Sequence, residues 1–186
     1  MTPAGVFAGL DTAARVAGTI AAALVVEAAV VWRFGWSPPL AAYSYFAVIG
    51  TVVSATDLAR RRIPNLIVLP AYPITAALLA VASVSSELWW PFARAGTAAV
   101  VLAGCYLTLG FAFPAGMGLG DVKWAGVIGA YLGWLGWSPL VDGTLIGFLA
   151  AAVALLAARI VGRRQSSLPM APFMTLGAII AVVGTR

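Results

Sequence analysis

Apolar runs of about twenty residues recur along this whole chain, separated by short gaps that hold most of its charge. A helix rises about 1.5 Å per residue, so roughly 17–25 apolar residues cross the hydrocarbon layer of a bilayer. Inside that layer there is no water to bond the backbone, and a helix satisfies its own N–H and C=O groups. The pattern therefore predicts an all-α fold: a polytopic transmembrane helical bundle of about seven spans, forming one domain over residues 1–186. Spans are expected near residues 13–31, 40–56, 66–84, 92–113, 121–137, 140–161 and 168–185. Pro70 and Pro73 are expected to bend the third. With 62% hydrophobic and 9% charged residues, the chain is far from a soluble composition.

Residue types that are missing narrow the chemistry. There is no histidine, which removes Ser-His-Asp and Cys-His catalysis, histidine metal sites and haem ligation by histidine. The single Cys105 supports neither a disulfide framework nor a thiolate cluster; it reads as a small buried apolar residue. No metal and no cofactor is expected. The N-terminus lacks a basic residue before Arg15 and carries Asp11, so its first apolar run reads as a span rather than a cleaved signal.

The net charge of +5 comes from arginines in the gaps. No basic stripe interleaved with aromatics is present, so the expected partner is a lipid bilayer and not nucleic acid. With the N-terminus in the cytoplasm, Arg15, Arg60, Arg61, Arg62, Lys123, Arg159, Arg163 and Arg164 fall inside. Arg33, Arg94 and Arg186 fall outside, so eight of the eleven basic residues are cytoplasmic. That arrangement puts Asp57 and Asp121 at the same face of the membrane.

Those two are among only six acids. Asp121 ends the glycine-spaced stretch Gly116-Met117-Gly118-Leu119-Gly120-Asp121 and is followed by Val122 and Lys123, the one lysine of the chain. Glycines on alternate positions permit unusual backbone conformations and close approach of another chain. Two carboxyls brought together at a membrane edge cannot both ionise easily. One then serves as general base on water while its protonated partner donates. Blander roles stand beside this one. Asp121 also reads as a helix N-cap, Asp57 as a helix-end acid paired with Arg60 or Arg61, and Lys123 as a membrane-edge anchor. Glu27 lies inside the first span and is given no role. Gly129 and Gly133, and Gly143 and Gly147, have GxxxG spacing and read as helix-packing positions.

Three motifs, in order, carry a family resemblance. Asp57-Leu58-Ala59-Arg60-Arg61-Arg62-Ile63-Pro64-Asn65 resembles the Asp-x5-Ile/Leu-Pro-Asn/Asp signature of type IV prepilin peptidases. Gly118-Leu119-Gly120-Asp121-Val122-Lys123 resembles their GxGD motif with its trailing lysine. The stretch from Leu168 to Gly177, with Pro169 and Pro172, is similar to the one that opens their last helix, although Met170-Ala171 replaces the usual aromatic and glycine.

The resemblance runs from about the second span to the C-terminus. It implies an intramembrane aspartic endopeptidase of the cytoplasmic (inner) membrane, cutting the basic leader from prepilins or pseudopilins of pilus and secretion systems. It implies Asp57 and Asp121 as the catalytic pair, with Gly118, Gly120, Lys123, Pro64 and Asn65 shaping the loops and the approach of substrate. The cysteine-rich N-terminal domain of methylating members is not expected, so the chain reads as a short, peptidase-only form. The competing class is a small transporter or channel using Asp57 and Asp121 as ion or proton sites.

Overall fold

The computed structural model describes residues 13–113, 117–162 and 168–185. Gly116, Asp11, Arg163, Arg164 and Arg186, all used above, lie outside the described residues. Among the described residues there are seven helices and no strand. They are α1 (Ala13–Phe34), α2 (Leu40–Arg60), α3 (Asn65–Ser85), α4 (Trp90–Ala112), α5 (Leu119–Leu135), α6 (Trp137–Ile160) and α7 (Ala171–Gly184). They follow the seven expected spans in order. Four of them, α1, α3, α4 and α6, are long and apolar enough to cross a membrane. α3 continues through both Pro70 and Pro73.

Of the bounds that differ from expectation, two bear on the acids and have local reasons. α2 runs on to Arg60, so Asp57 lies inside the last helical turn instead of just past it. The helix ends where Arg61 turns left-handed (φ 51°, ψ 36°) and donates its N–H to Asp57 O at 2.7 Å. α7 begins at Ala171, three residues later than expected, and Pro172 sits in its first turn, where a missing N–H does no harm.

α4 packs along α5 and α6 along α7, while α2 touches α1, α3 and α7. Small residues make the first two pairings possible. A Cβ on Gly129 would sit 2.6 Å from Ala98 O, and one on Gly133 would overlap the Ala98 side chain. A Cβ on Gly147 would lie 3.0 Å from Phe173 O. Backbones can come this close only where no side chain intervenes, and in lipid that contact replaces a hydrophobic drive.

The centre is aromatic. Tyr43, Phe46, Trp124 and Tyr131 are fully buried. Tyr43 donates its hydroxyl to Tyr131 O at 2.7 Å, and Trp124 Nε1–H donates to Thr175 Oγ1 at 3.0 Å. These bonds tie α2, α5 and α7 together where no water can satisfy a polar group. The outer faces are apolar too: Val100, Leu145, Leu149 and Val153 are exposed. Cys105 belongs to that outer face and is exposed, against the expectation of burial. In a bilayer, a small apolar residue suits the lipid face as well as the core.

Candidate active site

The local chain path brings the two singled-out acids to one end of the bundle. Asp57 lies in the last turn of α2 and is only 4% exposed. After the turn at Arg61, the chain runs back as an extended segment to Pro64 (φ −71°, ψ 131°), which opens α3. Pro64 is buried and Asn65 is the first helical residue. Asp121 enters on α5, three residues after the flanking Gly118.

Asp121 is not the N-cap that its sequence context suggested. Gly118 holds that position, and Asp121, one turn in, reaches back to accept the Gly118 N–H at 2.9 Å through Oδ2. This is half of a capping box, and it also places a carboxylate at the positive end of the helix dipole. One carboxyl oxygen is thereby fixed, and with it the direction of the side chain.

The glycines of this stretch differ in what they do. Gly118 has an ordinary extended backbone (φ −95°, ψ 158°). The conformational freedom expected of it is not used. Gly120 is helical, and its value is closeness: a Cβ there would stand 3.0 Å from the Cβ of Ile63. The extended segment after Asp57 thus rests directly on the helix that carries Asp121.

Asp57 is held from a third direction. The backbone N–H of Ala171, at the start of α7, donates to Asp57 Oδ2 at 3.1 Å. Sequence reasoning missed this residue. The available signal was Pro172, which marks a helix start whose first N–H groups need acceptors.

Lys123 does not hang free at the membrane edge. Its ammonium donates to Asn65 Oδ1 at 2.9 Å, and its backbone carbonyl accepts the Tyr72 hydroxyl at 2.7 Å. Tyr72 was also missed, having no motif around it.

Asp57, Asp121, Gly118, Gly120, Ile63, Arg61 and Arg62 line a single cavity of about 270 Å³, together with Leu119. It is large enough for several waters or a strand of peptide backbone. Of the residues picked out from sequence, four line this cavity: Asp57, Asp121, Gly118 and Gly120. Pro64, Asn65 and Lys123 are not among its lining residues. Among the described residues no group of three or more His, Cys, Asp or Glu side chains comes together. Two aspartates and two arginines thus border one space.

Neither a curated protein nor a solved structure matches the chain. A family model described as the type IV leader peptidase family does match it, over residues 44–183, from early α2 to the end of α7. The chain therefore belongs to the type IV leader peptidase family.

Proposed function

We propose that this protein is an aspartic endopeptidase of the prepilin type, with Asp57 and Asp121 as its catalytic pair. One observation carries the reading: both carboxylates border the same cavity at one end of the bundle. Family membership supports peptide hydrolysis in general.

Two carboxyls in so small a space share a proton more readily than they carry two charges. The ionised member takes a proton from water as the oxygen adds to the scissile carbonyl carbon. The protonated member gives its proton to the carbonyl oxygen. As the C–N bond breaks, a proton passes to the departing amine. Ala171 N–H and Gly118 N–H hold one oxygen of each carboxyl and leave the other for this work.

The substrate is the leader of a prepilin or pseudopilin. The enzyme lies in the inner membrane with its N-terminus and its cavity on the cytoplasmic side. The positive-inside distribution of basic residues supports that orientation. Gly120 shapes the cavity by letting Ile63 lie close, while Pro64 and Asn65 set where α3 begins.

The test is co-expression with a prepilin bearing a basic leader. Asp57→Asn and Asp121→Asn are each expected to stop leader removal while the protein still accumulates in the membrane. Normal processing by both variants would rule out the dyad.

A further inference from the structure

Lys123 is gripped at both of its ends by one helix. Asn65 accepts from its ammonium at 2.9 Å, and Tyr72 donates to its carbonyl at 2.7 Å. Asn65 and Tyr72 are seven residues apart on α3, two turns, and so share a helix face. The Lys123 carbonyl belongs to the first turns of α5, so the tyrosine hydroxyl is an additional tie, beyond the helix's own bonding. Gly126 makes room for it, since a Cβ there would overlap the Tyr72 hydroxyl and lie 3.1 Å from its Cζ. Ile63 against Gly120 adds a third point of contact at the cavity wall. The start of α3 is therefore fastened to α5 at residues 120, 123 and 126, along one side of the helix.

Asp121 points elsewhere. Two residues apart on a helix means about 200° of rotation, so the lysine faces α3 while the carboxylate faces the cavity. The other acid, Asp57, is joined to the same α3 start by the short segment through Arg61. Any slip of α3 along α5 would change the spacing of the two carboxyls.

We propose that Lys123, Asn65 and Tyr72 form a positioning clamp that sets the separation of Asp57 and Asp121, with the lysine ammonium committed to Asn65 rather than to substrate. The inference rests on the dyad reading above. None of the three is a catalytic residue: each acts through the placement of the acids.

Two measurements on the full chain in membranes test it. The first does not use activity. In a Cys105→Ala background, Asp57→Cys with Asp121→Cys is treated with bis-maleimides of graded length. The parent pair is expected to cross-link with one narrow range of reagents. Adding Asn65→Leu is expected to broaden or lengthen that range, whereas Asn65→Asp, which still accepts from the ammonium, is expected to preserve it. Identical profiles for the Leu variant and the parent would overturn the clamp, whatever becomes of the dyad. Should Asn65→Leu fail to accumulate, Tyr72→Phe serves in its place, because the ring stays on Gly126 and only the hydroxyl is lost.

The second is kinetic. Lys123→Met, Asn65→Leu and Tyr72→Phe are each expected to lower kcat about 10–100-fold with little change in KM, the size of effect produced by small misplacements of reacting groups. Asn65→Asp is expected to keep most of the parent kcat. A rise in KM at constant kcat for Lys123→Met would mean that the lysine binds substrate, and would overturn the assignment.

Discussion

Ala171 and Asp57 are 114 positions apart in the chain, yet the N–H of one donates to Oδ2 of the other at 3.1 Å. The bond joins the first turn of α7 to the last turn of α2. It gives a mechanical reason for a proline-bearing helix start at this place: the free N–H groups of a helix N-terminus are donors looking for an anion.

Ala171 is fully buried, so enlarging it should push α7 away from Asp57. Overpacking of this kind costs about 1–3 kcal/mol. Ala171→Val is therefore expected to displace its N–H from Asp57 and to reduce leader processing about tenfold or more, the scale on which small misplacements of reacting groups act. Leu176→Ala on the same helix, at an exposed position, is the control and is expected to leave processing unchanged. Single-turnover cleavage by both variants, at matched amounts in the membrane, decides the matter.

The α6–α7 contact is tighter than any single glycine suggests. A Cβ on Gly177 would overlap Gly143 O and come within 2.5 Å of Gly147 N. Both obstacles are backbone and neither can swing aside. Gly177→Ala is expected to destabilise the bundle by a few kcal/mol, on the scale of other core insertions. Gly104→Ala on α4, where nothing lies within 4 Å, should be neutral or slightly stabilising because alanine is the better helix former. Thermal unfolding of the two purified variants in the same detergent gives the comparison.

Much of this was legible in the sequence, for identifiable reasons. A bilayer forces apolar residues into helices of fixed length, so the helices and their order could be read directly. Alternation across the membrane then put Asp57 and Asp121 at one end without any knowledge of packing. The Ala171 donor was not legible because a backbone N–H has no side-chain signature. Tyr72 was hidden for a different reason: pairing it with Lys123 requires knowing which faces of α3 and α5 meet. Cys105 reads from sequence as interior because apolarity is a guide to burial in water-soluble proteins, and lipid removes that guide. Glu27 has no legible role in the sequence, since its partner Ser44 lies on the next helix.

Arg94 closes the far end of the same helix that carries Asp121. Its Nε–H donates to Gly133 O at 2.6 Å and its Nη2 to Trp134 O at 2.7 Å. Both carbonyls lie in the last turn of α5, where the helix has no donors of its own. The guanidinium also meets the negative end of the helix dipole. Arg94→Ala should lower stability by about 2–4 kcal/mol, since bonds to a charged group are worth about 1.5–3 kcal/mol each and part of the loss is recovered by water. Arg94→Lys should recover only part of that, because an ammonium cannot match the guanidinium fork. Measured unfolding temperatures should fall in the order parent, Lys, Ala. The cavity at the opposite end should be unaffected, so cleavage by the folded fraction should stay at the parent rate.

Glu27 on α1 presents a last asymmetry. Ser44 on α2 donates its hydroxyl to Glu27 Oε1, whereas Oε2 is buried with no bonding partner. Removing one member of such a pair is worse than removing both. Ser44→Ala leaves both carboxyl oxygens without a donor and should destabilise the α1–α2 contact by about 1–3 kcal/mol. Glu27→Leu takes away the carboxyl itself and should be close to neutral or stabilising, since an apolar side chain suits this depth better than a half-satisfied acid. The double variant Glu27→Leu with Ser44→Ala should resemble Glu27→Leu alone. Unfolding measurements on the four proteins form a double-mutant cycle, and a Glu27→Leu protein weaker than Ser44→Ala would show that the carboxyl holds α1 in place by some other contact.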